Sequence, residues 1–209
     1  MITEHFLQYV INEMDLAVGK TFETEKQNPE SYNLIPYNMG SFIESMEKAQ
    51  LVFQALHPSA KRRPSSHFID VGCGIGTKLL FARRYFDFCY GIDINADLIK
   101  IAKNFDSGVS FEVADALKCD YSKFNIIYYY KPIENYDLIR QLEQRIYEQA
   151  KSGTIIIEVY PSNGSWTPII KNGINCQDNV FVKTKNPKTI RRLKEFRDFD
   201  AEEWLTKTE

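Results

Sequence analysis

Histidine and cysteine, the residues that build metal and redox centres, are scarce in this sequence. Three histidines and four cysteines occur in 209 residues. Cys73, Cys89, Cys119 and Cys176 lie far apart and form no C-x-x-C pair, which argues against a structural zinc site or a dithiol redox motif and suits reduced thiols in the cytoplasm. An excess of one charge is also lacking. Lys and Arg number 26 against 28 Asp and Glu, a net charge of −2, so the chain as a whole has no pull toward nucleic acid or an anionic membrane, and a local patch must supply any such pull. No apolar run approaches the roughly eighteen residues of a membrane span. The opening MITEHFLQYVINEMDLAV is broken by Glu4, Asn12 and Glu13, and its apolar residues Ile2, Phe6, Val10 and Met14 read as one face of an amphipathic helix, not as a signal peptide. Repeats and low-complexity tracts are absent.

What is present is a chain with 44% hydrophobic and 26% charged residues, enough for one globular unit with a core. A polar, turn-rich stretch follows the first helix. Then SFIESMEKAQLVFQAL places Phe42, Met46, Ala49, Phe53 and Leu56 at helical spacing, with Ser41 and Glu44 reading as a capping box. After a basic hinge, HPSAKRRPSS, apolar runs alternate with helical patterns: HFIDV strand, GTKLLFARRYF helix, FCYGIDI strand, ADLIKIAKNF helix, VSFEVA strand, FNIIYYY strand, YDLIRQLEQRIYEQA helix, TIIIEVY strand. That order marks an α/β protein with a doubly wound, mainly parallel sheet covered on both faces.

Gly72, Gly74 and Gly76 follow the first of these strands directly. Three glycines between a strand and a helix let the backbone turn tightly and a ligand approach it closely, at the sheet edge where doubly wound folds bind ligands. The spacing G-x-G-x-G closes one residue sooner than the dinucleotide fingerprint. Asp70, two residues before the first glycine, would oppose a pyrophosphate and favour an ammonium group. No Gly-Lys-Ser/Thr follows, so a phosphate loop is excluded as well. Asp93 ends the second strand, where a carboxylate accepts ribose hydroxyls, and Asp115 follows the third, within reach of an adenine amino group.

IDVGCGIGT, GIDIN and VADAL together resemble the glycine-rich, ribose-binding and adenine-contacting motifs of the class I S-adenosylmethionine-dependent methyltransferases, over roughly residues 66 to 160. The resemblance implies a Rossmann-like sheet of seven strands, the last antiparallel and entering as a hairpin, with WTPIIKNG and NVFVKTK as candidates for that pair. It implies S-adenosyl-L-methionine as cofactor, held by Asp70, Gly72, Cys73, Gly74 and Gly76, by Asp93 and Ile94, and by Asp115 and Ala116. Residues 1–60 are expected to form a helical extension and lid on a domain spanning 61–209. IPYNMGSF resembles a lead-in loop of some protein lysine methyltransferases, which makes Tyr37, Asn38 and Gly40 candidate lid residues, Tyr37 toward the cofactor.

The sequence departs from the amide-gripping members after the fourth strand. FNIIYYYKPI puts Tyr130, Lys131, Pro132 and Ile133 where those members carry Asn/Asp-Pro-Pro-aromatic, so Tyr130 and Lys131 are the candidate catalytic residues, offering a phenol and an ammonium in place of a carbonyl. Tyr128, Tyr129 and Glu158 read as strand residues, and His5, His57 and His67 as structural. The basic segment KTKNPKTIRRLK reads as a solvated helix because acids follow it at once. The expected function is methyl transfer to a small-molecule or protein acceptor. An RNA methyltransferase and a non-catalytic cofactor-binding module are the alternatives; a nicotinamide oxidoreductase is disfavoured by Asp70 and the glycine spacing. Metal and membrane are not expected, and nothing fixes the oligomeric state.

Overall fold

The structure is a computed structural model that describes residues 38–59, 61, 63–104, 108–159, 173–177 and 179–197. The elements run α1 (Met39–Leu56), β1 (His67–Val71), α2 (Thr77–Ala82), β2 (Phe88–Asp93), α3 (Ala96–Ala102), β3 (Ser110–Val113), β4 (Ile126–Tyr130), α4 (Tyr136–Gln149), β5 (Ile155–Val159), β6 (Gly173–Gln177), β7 (Val180–Lys183) and α5 (Pro187–Arg197). Seven strands form one sheet in the order β3-β2-β1-β4-β5-β7-β6. The first five pair in parallel, and β7 enters antiparallel between β5 and β6. This is the Rossmann-like sheet expected from the alternating pattern.

Strand sequences rich in Ile, Val and Tyr suit a sheet buried on both sides. Because successive side chains alternate, each strand feeds both faces. Phe68, Phe111, Tyr128, Ile155 and Ile157 pack with Phe42 and Met46 of α1, Leu79 of α2, Ile99 of α3 and Leu193 of α5. Ile69, Ile92, Ile127, Tyr129 and Ile156 pack on the other face with Ile139, Leu142 and Ile146 of α4. Tyr128 and Tyr129 are therefore buried on opposite faces of one strand, as strand residues.

Three expectations shift. The cap of α1 is Asn38, whose Oδ1 accepts the Ser41 N–H at 3.0 Å; Ser41 is inside the helix, because Met39 and Phe42 both turn their apolar side chains into the core and draw the cap three residues earlier. The hairpin partner of β7 is GINCQ, later than WTPIIKNG and sharing only Gly173 with it, since Ile174 and Cys176 are the residues buried against α5 and β7. The helix after the glycines stops at Ala82. The opening amphipathic helix and Tyr37 lie outside the described residues.

Candidate active site

The β1–α2 loop folds back on β2 through its backbone. The N–H groups of Gly72 and Cys73 both donate to the Ile92 carbonyl, at 2.8 and 2.9 Å, and the Gly74 N–H donates to Asp93 Oδ2 at 2.9 Å. Gly72, Gly74 and Gly76 have φ values of 77°, 57° and 77°, the left-handed region that favours glycine. At two of them a side chain also has no room. A Cβ on Gly72 would lie 2.7 Å from Pro132 Cβ, and one on Gly76 would lie 2.4 Å from Phe111 Cε1. The third glycine thus makes room for a β3 side chain, and the first for the turn after β4.

A cleft of about 180 Å³ opens at the C-terminal ends of the parallel strands, lined by Gly72, Ile92, Asp93, Ile94, Ala114, Asp115, Ala116, Leu117, Pro132, Ile133 and Leu138. Its size and largely apolar wall with a few acids suit a nucleoside. Asp93 sits at its floor. Oδ1 accepts the Asn95 N–H at 2.9 Å and Oδ2 takes Gly74, which leaves acceptor capacity on each oxygen for a vicinal diol. Burial raises the Asp93 pKa, opposed by these hydrogen bonds. Asp115 closes its own turn, with Oδ1 on the Leu117 N–H at 2.9 Å and Oδ2 3.2 Å from Lys118 Nζ.

Asp70 is 1% exposed, and neither carboxylate oxygen has a hydrogen-bond partner among the described residues. Burial pushes its pKa up to about 6, while Lys78 pulls it down and Asp93 adds to the rise. A buried carboxylate without a partner is costly, and an ammonium group is the ligand that would relieve it. Cys73 is buried, and Ile94 is exposed at the cleft mouth.

At the end of β4, Tyr130 is half-buried against the α1 side of the core. Lys131 follows with φ 40°, the one non-glycine residue at positive φ among the described residues. A left-handed residue before a proline is strained twice over, and such strain concentrates at functional sites. The turn carries Pro132 onto Gly72 and Pro132 and Ile133 into the cleft wall, so the fourth strand's end meets the glycine loop. Sequence reasoning missed Pro132, Ile133, Leu117 and Leu138 as cleft residues; Lys-Pro directly after a strand was the available signal for the first. His57 and His67 stand apart from the cleft, His57 capping α1 and His67 stacking on Phe88 at 4.8 Å, and His5 lies outside the described residues. Glu158 lies on the α4 face beside Tyr129. Asn38, a candidate lid residue, is a helix cap.

Residues 63–203 match the methyltransferase domain family. The chain belongs to it. Ajmaline N-methyltransferase from Rauvolfia serpentina is 31% identical over 144 residues, covering 61% of this chain and 49% of its own length. An RNA methyltransferase from Salinibacter ruber, solved with S-adenosyl-L-homocysteine, shares the fold at 20% identity and a TM-score of 0.51, over 72% of this chain and 92% of that one. The sugar N-methyltransferase KedS8 from a Streptoalloteichus species aligns at 15% identity and a TM-score of 0.45, over 56% of this chain and 47% of its own. The chain spans about half the length of the ajmaline enzyme. The orphaned Asp70 carboxylate together with the nucleoside-sized cleft fits S-adenosylmethionine, the cofactor that the sequence motifs imply.

Proposed function

We propose that the protein transfers a methyl group from S-adenosylmethionine to an oxygen or amine of a small-molecule acceptor. The observation that carries this reading is Asp70, a fully buried acid with no hydrogen-bond partner among the described residues, placed beside a cleft whose floor is Asp93. In this reading Asp93 accepts the ribose hydroxyls, Asp115 and the Ala114–Leu117 turn receive the adenine, and Asp70 faces the ammonium of the methionine end. Gly72, Cys73, Gly74 and Gly76 shape the loop, and Ile94 covers the nucleoside. The cofactor supplies a methyl group on a positively charged sulfur, which leaves by in-line displacement. The protein's task is to hold the nucleophile in line at close range and to keep water away. Tyr130 and Lys131 border that point at the end of β4. Their phenol and ammonium can hydrogen-bond an acceptor, and only as phenolate and free amine can they take its proton; the Asn/Asp side-chain carbonyl that grips an amide is replaced at this position.

A relative whose name assigns its chemistry to a nitrogen of ajmaline supports a small-molecule acceptor. The four free cysteines support action in the cytoplasm, and no helix of the described residues is long and apolar enough to cross a membrane. The test is transfer of a tritiated methyl group from S-adenosylmethionine into cell lysate, sorted into small-molecule, protein and nucleic-acid fractions. Label in the small-molecule fraction supports the proposal, and label confined to nucleic acid refutes it. Tyr130→Phe is expected to lower turnover with cofactor affinity unchanged.

A further inference from the structure

The connection from Lys131 to Asn135 is short and fixed at both ends. On one side Tyr129 pairs in register with Val71 of β1, and Tyr130 with Val159 of β5. On the other, Asn135 caps α4, its Oδ1 accepting the Asp137 and Leu138 N–H groups at 3.0 and 3.1 Å, and Ile139, Leu142 and Ile146 hold that helix on the sheet. Between these anchors Lys131 makes the change of direction, at φ 40°. A side chain in that region is strained, and the proline that follows restricts the residue further. The strain delivers Pro132 to Gly72: a Cβ built on Gly72 would lie 2.7 Å from Pro132 Cβ and 3.0 Å from its Cα, so the proline packs on bare glycine backbone. The glycine loop carries the contact onward, since the Gly72 N–H is held by the Ile92 carbonyl and the Gly74 N–H by Asp93.

We infer that Lys131 and Pro132 are positioning residues for the cofactor and act through the shape of the backbone: left-handed Lys131 seats Pro132 on Gly72, and the seated proline holds the glycine loop and the cleft wall in the binding arrangement. The inference rests on the reading of the cleft as the S-adenosylmethionine site. Gly72, Pro132 and Ile133 line that same cleft with Asp93, so a ligand filling it favours the seated turn. An extended Lys131 would relieve the strain, but between fixed anchors it would redirect the chain and take Pro132 off Gly72. The turn thus has a seated and an unseated form, and the cofactor selects the first. Proline suits the position because its ring fixes its own φ, so the direction set at Lys131 fixes where the ring lies. Lys131 then has two separable parts. Its ammonium concerns the acceptor, and its φ concerns the cofactor.

Calorimetric binding of S-adenosylhomocysteine to the full chain tests this with Lys131→Gly, Lys131→Asn and Lys131→Val. All three remove the ammonium, but glycine and asparagine accept the left-handed region and valine does not. Lys131→Gly and Lys131→Asn are expected to bind at least as tightly as the wild type, and Lys131→Val to lose on the order of five-fold or more. A second arm pairs Gly72→Ala with Pro132→Gly. The loss of affinity caused by Gly72→Ala is expected to shrink about five-fold in the Pro132→Gly background, because the colliding ring is gone while the strain of φ at residue 72 is common to both arms. Thermal unfolding checks the fold of each variant, and the second arm decides if Lys131→Val does not fold. Equal affinity in all three Lys131 variants, whether kept or lost, or strictly additive effects of Gly72→Ala and Pro132→Gly would overturn the inference and leave the cofactor assignment standing. A wild-type protein that does not bind S-adenosylhomocysteine would overturn that assignment and the inference with it.

Discussion

A carboxylate that is buried without a partner reports the ligand it lacks, and Asp70 does so with a measurable proton. Its pKa in the free protein is raised to about 6 by burial above all. An incoming ammonium favours the charged form and draws that pKa down. Cofactor affinity is therefore expected to be flat above the raised value and to fall up to about ten-fold per pH unit below it, as protonated Asp70 must first give up its proton. Asp70→Asn should bind S-adenosylhomocysteine more weakly at neutral pH and lose this slope; calorimetry from about pH 5 to about pH 8 measures both. An unchanged slope in the variant would remove Asp70 from the ammonium. Gly72→Ala is expected to cost cofactor affinity and stability together, because its Cβ meets Pro132 at 2.7 Å and its φ of 77° strains any side chain. Thermal unfolding and calorimetry on one preparation check this. The glycine triplet and its acids were legible because turn geometry and ligand charge restrict residue choice locally. The contacts of Gly72 with Pro132 and of Gly76 with Phe111 were not, since each joins residues distant in sequence whose meeting is decided by strand order.

Strands and helices were legible wherever burial forces a period. β1, β4, β5 and α4 fall within a residue or two of their apolar patterns, because each has at least one face inside. The helix starts were less so. Ser41 and Glu44 make a local capping signature, yet Asn38 takes the cap because burial of Met39 and Phe42 sets where α1 begins. Asn38→Ala is accordingly expected to cost about 1 kcal/mol of stability, and Ser41→Ala distinctly less; denaturant midpoints compare the two. The contact between β5 and α4 hides the opposite problem. Glu158 is 2% exposed, with no hydrogen-bond partner for either oxygen among the described residues. Burial, with Glu143 nearby, raises its pKa from 4.5 to about 9. The folded state therefore holds a proton that the unfolded chain releases, so this group favours folding most below pH 4.5, and that advantage is lost as pH rises toward about 9. The cost at neutral pH is on the order of 3 kcal/mol. Glu158→Gln should raise the melting temperature, with the difference between variant and wild type wider at pH 9 than at pH 5. A constant difference across that range would mean that the carboxyl is ionised when folded.

At the scale of the whole molecule, the sheet is finished by a helix that precedes it. α1 places Phe42, Met46, Ala49, Val52 and Phe53 in the same cluster as Phe68, Tyr128, Ile155 and Ile157, and the ring of Phe42 meets Tyr128 edge-on at 5.2 Å. Tyr128 pairs in register with Asp70, so the contact with α1 lies directly against the strand residue assigned to the cofactor's charged end. Residues 1–60 were read as an extension and lid on a domain beginning at 61. We propose that their last third is part of the folding unit itself. Phe42→Ala is expected to cost about 3–5 kcal/mol by the cavity it leaves, a large share of the roughly 5–15 kcal/mol that holds a domain of this kind together. A chain beginning at residue 61 should then lose its cooperative thermal transition, whereas one beginning at Asn38 should keep it and unfold in a single step. Proteolysis that trimmed the full chain to a stable, cofactor-binding fragment starting near residue 61 would show that the sheet holds its own core and that α1 only covers it.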